Sequence, residues 1–310
     1  MPSPRPPGSG SPGATSGAPA VDPPGGPSAD PSLGQSGSAG GGPSAAPGGA
    51  PLWLRDLAGA WIFYSVLPAW PGPEPRFARI ARFAPWIGAL LGGLLALLWA
   101  VLQDRVPPLT QVALVPAAGL LLSGGLHMDG AMDTADGLAA GERRLEAMAD
   151  SRVGAMGVQA LVVLLALRVA ALAALGAAAP LPLIWAAVWA RVSPLPAMAF
   201  FPYLRPEGSA AFHRRHWSGL ARELRPTLLL LLLLLPLSLA TAGGWPTLAG
   251  LAGGLPALLV PCALGRRLGG HSGDSYGACV EWTDSVALLL AALVMGLAAA
   301  ALPAGLGPAG

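Results

Sequence analysis

About seven stretches of this chain are apolar for most of a membrane's thickness, and no other feature constrains the fold as tightly. They run over residues 84–103, 109–126, 158–178, 181–201, 227–242, 245–264 and 283–302. A helix needs about 20 apolar residues to cross a hydrocarbon layer of about 30 Å. Inside that layer every backbone polar group must be bonded within the segment, which excludes open sheets. The runs therefore predict an all-α, polytopic integral membrane protein with about seven transmembrane helices and the lipid bilayer as its surroundings. Charged residues make up only 11% of the chain, against about 25% in soluble domains. Residues 53–67 are apolar but too short to span, and they carry Arg55 and Asp56. They predict a short N-terminal interfacial helix.

The ends differ from this middle. Residues 1–51 are rich in Gly, Pro, Ser and Ala with almost no large apolar side chain, so they predict a disordered tail. No apolar core with a cleavage site follows, so the tail is not read as a signal peptide. The membrane-embedded domain is expected over 52–303, with a short C-terminal tail at 304–310.

All 18 basic residues are Arg. Nearly every Arg outside the spans falls in the loops 68–83, 127–157, 203–226 and 265–282, while the alternate loops hold Arg105. Positive charge stays inside, so these four loops predict a cytoplasmic face on the cytoplasmic (inner) membrane. A net charge of +2 gives no case for a nucleic-acid partner. Cys262 and Cys279 form no metal-like spacing and no disulfide framework.

The polar motifs all fall in those loops. The first, at 124–137, reads GGLHMDGAMDTADG. Asp129, Asp133 and Asp136 are spaced i, i+4, i+7 and share one helical stripe. Three like charges on one stripe repel, and a cation among them removes that penalty. They are the predicted metal ligands. Hard oxygen donors without a Cys/His cluster favour Mg²⁺, with Mn²⁺ as the alternative. Gly130 and Gly137 would let a phosphate or a second helix approach. His127 lies on the other side of an ideal helix from Asp129 and is a substrate-binding candidate.

Three more constellations follow. Asp150, Ser151 and Arg152 precede a span, where backbone N–H groups and Arg152 suit an anion; Ser151 and Arg152 are substrate-binding candidates. Arg191 sits inside the fourth span and needs a carboxylate or phosphate partner. Arg168 is similar but lacks polar neighbours in sequence. The loop at 269–277, GGHSGDSYG, is a glycine-rich pattern suited to phosphate; Gly273 is its substrate-binding candidate, and Asp274 is positioned to join the acidic site. Acidic ligands, Arg residues and Gly-rich loops on one face suit phosphoryl or phosphodiester transfer. The predicted catalytic residues are Asp133, Asp136 and Asp274, with a carboxylate at the edge of the metal cluster taking the proton of an attacking hydroxyl.

These motifs resemble a known family. GGLHMDGAMDTADGL at 124–138, RRLEAMADSRVGAMG at 143–157, YLRPEG at 203–208 and GGHSGDSYGACVEWTD at 269–284 are similar, in order, to the signatures of the adenosylcobinamide-GDP ribazoletransferase (cobalamin synthase) family. The resemblance covers roughly residues 53–302. It implies displacement of GMP from adenosylcobinamide-GDP by a hydroxyl of α-ribazole, or by its 5′-phosphate form, with Mg²⁺. Two other readings compete. A CDP-alcohol phosphotransferase shares the acidic logic, but its DGxxAR pattern is absent. An ion-coupled transporter would place its acids near the midplane of repeats, and no repeat is seen. The sequence leaves the oligomeric state open.

Overall fold

The structure, a computed structural model, describes residues 49–301 except 206, 207 and 209. Glu207, the tail at 1–48 and the C-terminal residues from 302 on lie outside the described residues. Fourteen α-helices follow in order: α1 (Leu52–Tyr64), α2 (Ala84–Leu102), α3 (Pro108–Leu122), α4 (Leu126–Ala139), α5 (Arg144–Ala147), α6 (Ala155–Leu175), α7 (Pro180–Val192), α8 (Pro194–Phe200), α9 (Ala211–Arg215), α10 (Leu220–Glu223), α11 (Arg225–Ala242), α12 (Gly244–Leu251), α13 (Gly254–Leu268) and α14 (Gly273–Ala301). Among the described residues no strand forms; one isolated bridge joins Tyr203 and His271.

The all-α membrane architecture is as the apolar runs predict. Six segments are long and apolar enough to cross a bilayer: Ile80–Leu102, Ala155–Ala178, Pro180–Phe200, Arg225–Ala242, Gly244–Leu268 and Gly273–Ala301. A seventh counts if α3 and α4 form one broken span, since they meet at 94°. The expected second run, 109–126, therefore ends earlier than its hydropathy suggests. Gly124 and Gly125 take positive φ, 65° and 71°, a region glycine enters without the Cβ penalty, and the chain turns there. The last span differs the other way. It begins at Gly273 and not near Thr283, because its polar first turns face protein.

α14 is the central helix. It packs along α4, α6 and α7, while α2 runs against α7. Trp185, Val188, Leu195 and Leu164 are fully buried between these helices. The leucine run in α11 shows how lipid and protein divide one helix. Leu230 and Leu234, one turn apart, are buried against Trp185 and Val188, while Leu228, Leu229, Leu232 and Leu233 are exposed on the side available to lipid.

The short helix α1 occupies the place of the predicted interfacial helix and is tied down by charge. Asp56 is fully buried and pairs with Arg82 at 3.1 Å and Arg76 at 3.6 Å. Arg79 pairs with the buried Glu223 at 2.6 Å. The Arg residues that mark topology in the 68–83 loop thus also fix α1 and α10 to the bundle. This places Phe63 and Tyr64 beside the site.

Candidate active site

The acidic stretch becomes a site because two helices cross unusually closely. α4 lies over the start of α14. A β-carbon on Gly130 would fall 2.6 Å from the carbonyl oxygen of Asp274, and one on Gly277 would fall 2.9 Å from that of His127. Only glycine permits that approach, and it brings the Asp129 and Asp133 helix to Asp274. The second helix anticipated at Gly130 is therefore α14.

Burial, and then the neighbouring charges of Asp129, Asp274 and Asp136, push the Asp133 carboxyl up to about 6. Like charges crowd one another here, as the stripe predicts. Asp274 accepts from Arg205 Nη1 at 3.2 Å and from Ser272 Oγ at 3.3 Å, both on Oδ2. Arg205 also donates to the Leu145 carbonyl at 2.7 Å.

Asp136 is placed otherwise than its spacing predicts. Its Oδ2 accepts from the Gly154 N–H at 2.8 Å and its Oδ1 from the Gly157 N–H at 2.9 Å. It caps the first turn of α6, where free amides and the helix dipole favour an anion. Each oxygen thereby accepts one backbone N–H. Among the described residues, no three His, Cys, Asp or Glu side chains converge to hold a metal ion. What remains fits a looser mode. Mg²⁺ binds through one or two carboxylates and keeps its other positions for water and substrate phosphate; Asp129 and Asp133 are hard donors of that kind.

Asp129 and Asp274 line a cavity of about 210 Å³. Asp129 is exposed and so stands at the opening. His127 and Arg191, 6% and 8% exposed, line the interior. His127 stacks on Tyr64, with ring centroids 5.9 Å apart, and its Nδ1 has no hydrogen-bond partner. Burial, reinforced by Arg191 and Arg168, pushes the imidazole down to about 3, so it is neutral. His127 and Asp129 thus border one cavity despite their helical angle, because the cavity wraps the first turn of α4. The Arg191 Nε is also without a partner, and its Nη1 reaches only the Ala187 carbonyl at 3.4 Å.

Gly273 lines the cavity with Asp274. Arg152 and Ser151 do not. Arg152 is 88% exposed and pairs with Asp150 at 2.6 Å, which holds that carboxyl down at about 2; Ser151 is exposed beside it. The glycine-loop His271 is fully buried, bonded to Ser275 Oγ and the Pro261 carbonyl, and serves the loop's shape.

Sequence reasoning missed several participants. Tyr64, Phe63, His213 and Tyr276 all line the cavity, and no local signal marks them. Arg168 does have polar partners: Glu281 at 2.6 Å and Asp284 at 3.0 Å, from the first half of α14. Their sequence distance hid the pairing. This network pairs the charge that Arg168 carries inside a membrane span.

Comparison with known proteins agrees with this picture. The sequence profile described as cobalamin-5-phosphate synthase matches residues 56–293. A protein of Prochlorococcus marinus (strain MIT 9303) named adenosylcobinamide-GDP ribazoletransferase is 60% identical over 253 residues, covering 79% of this chain and 97% of that protein. A Thermosynechococcus vestitus protein of the same name is 44% identical over 254 residues, covering 80% and 98%. No solved structure matches the chain. With the profile spanning most of the helical bundle and relatives matched nearly end to end, the chain belongs to the cobalamin-5-phosphate synthase family.

Proposed function

We propose that the chain joins adenosylcobinamide-GDP to α-ribazole, or to α-ribazole 5′-phosphate, giving the corresponding cobalamin and GMP. One observation carries this reading: the α4–α14 crossing sets Asp129 and Asp274, with Asp133 beside them, at a cavity whose lining includes His127 and Arg191, each with one nitrogen that has no partner. Acids at an opening suit a metal and diphosphate, and the chamber behind them suits an organic group.

A bound Mg²⁺, or Mn²⁺ in its place, would be held by Asp129 and Asp133 and would neutralise the diphosphate charge. The chain's own residues do the rest. Arg205 holds Asp274 in place through Oδ2, which leaves Oδ1 to take a proton. The attacking ribose hydroxyl gives its proton to that oxygen as it bonds to the phosphorus next to cobinamide. The bond from that phosphorus to the GMP oxygen breaks, and GMP leaves with the electron pair. A phosphate monoester ionises near pH 6, so no general acid is required. Asp136 supports the site by fixing α6 to α4. The Arg-bearing loops support a cytoplasmic active face on the inner membrane.

The test is GMP release by the purified full-length protein given both substrates and Mg²⁺. Release matched by joined product supports the reading. Its absence in folded, monodisperse protein overturns it, and movement of a substrate across vesicles without GMP would favour a transporter.

A further inference from the structure

The mouth of the cavity is suited to phosphates, but its interior is not. His127 and Arg191 are each more than nine-tenths buried, and each keeps a ring or guanidinium nitrogen with no partner. Buried polar atoms are almost always satisfied, so an unsatisfied nitrogen on each of two residues that line one cavity points to a ligand there. The walls around them are flat and apolar: Phe63, Tyr64, Tyr276, Met198 and Val280. The Tyr64 and His127 rings lie within 20° of parallel, forming a ready stacking surface.

We infer that this inner chamber binds the flat aromatic base of the attacking ribonucleoside, the dimethylbenzimidazole ring of α-ribazole, with His127 or Arg191 donating to its one bare ring nitrogen. The inference rests on the transferase reading above and assigns one substrate to one part of the site. A volume of about 210 Å³ admits a bicyclic ring and excludes a corrin. Guanine presents O6, N7, N3, N1–H and an amino group at its edges, and the carboxylates that line the cavity and could accept from its donors are Asp129 and Asp274, which the transfer itself engages. Dimethylbenzimidazole has a single acceptor and two methyl groups, which match the aromatic and apolar side chains around His127 and Arg191. A ligand whose polar groups must be left unpaired is rejected. Arg191 adds a planar cation able to lie on an aromatic face. With the base in the chamber the attacking ribose hydroxyl lies within one sugar of it, and Asp274 lines the same cavity.

The test is equilibrium binding to the full-length protein in detergent with excess EDTA, where phosphoryl chemistry is silent. The probes are free 5,6-dimethylbenzimidazole, α-ribazole and guanosine. The first two should bind, and guanosine should bind at least tenfold more weakly. His127→Ala should weaken base binding about tenfold, and His127→Gln, which keeps a donor and an acceptor, should recover part of it. In turnover, His127→Ala should raise KM for α-ribazole while KM for adenosylcobinamide-GDP stays within twofold. Guanosine binding as tightly as the benzimidazole, or a KM rise confined to adenosylcobinamide-GDP, overturns the inference. If His127→Ala does not fold, the wild-type probe ranking decides alone. Base binding without GMP release would instead sink the transferase reading.

Discussion

Gly130 of α4 lies against the backbone of Asp274 at the start of α14, so closely that a β-carbon would fall 2.6 Å from the Asp274 carbonyl oxygen. That contact turns an acidic stripe on one helix into a site made by two. Gly130→Ala must push the helices apart, and displacements of about 1 Å at a reacting centre can cost on the order of 100-fold in rate. GMP release should fall at least tenfold with the fold intact. Gly296→Ala, in the same α14 but with nothing within 4 Å, should leave the rate unchanged. Equal effects in the two variants would mean that the crossing does not set the site.

Asp136 separates support from chemistry. Its carboxylate accepts from two amides at the start of α6, and losing such a cap costs about 0.5–2 kcal/mol. Asp136→Asn should lower the thermal midpoint while reducing turnover less than Asp133→Asn does. A collapse of turnover with an unchanged midpoint would return Asp136 to the reaction itself.

The metal is tested through Asp133. Burial, together with crowding by Asp129, Asp274 and Asp136, makes its charged form unfavourable without a cation. Activity should need Mg²⁺ or Mn²⁺ and vanish in excess EDTA. Asp133→Asn should abolish Mn²⁺ binding followed by electron paramagnetic resonance, and in EDTA it should raise the thermal midpoint. Full turnover in EDTA would remove the metal from the account.

His213 predicts an acid sensitivity. Burial pushes its imidazole down to about 3, from about 6.5 in an unfolded chain. Between those values the unfolded state binds the extra proton, so this contribution is full above about 6.5 and is lost as pH falls towards 3. His213→Gln should flatten the fall of the thermal midpoint between pH 7 and pH 5. An unchanged slope would show that His213 opens to water before the protein unfolds.

Hydropathy made most of the helices legible, because a bilayer demands long apolar runs and tolerates little else. It misread two boundaries for physical reasons. Gly124 and Gly125 bend the chain inside an apolar run, where hydropathy is blind to φ. The first turns of α14 look like a polar loop because Glu281 and Asp284 satisfy Arg168 of α6 within the bundle. The acidic site was half legible. Spacing put three Asp side chains on one stripe, but Asp136 faces the first turn of α6 and Asp274 arrives from a helix far along the chain. His127 and Arg191 could be named from sequence. Their shared cavity with Tyr64 could not, because it depends on how α1 is held by Asp56, Arg76 and Arg82.

The central claim is that carboxylates from two helices serve one transfer, with Asp274 taking the proton. The single-turnover rate of GMP release by Asp274→Asn, at saturating Mg²⁺ and both substrates, tests it most directly. General-base catalysis contributes roughly 10²–10⁴-fold, so the rate should fall by at least about 100-fold while the protein stays monodisperse and melts near the wild-type temperature. A rate within threefold of wild type would contradict the account.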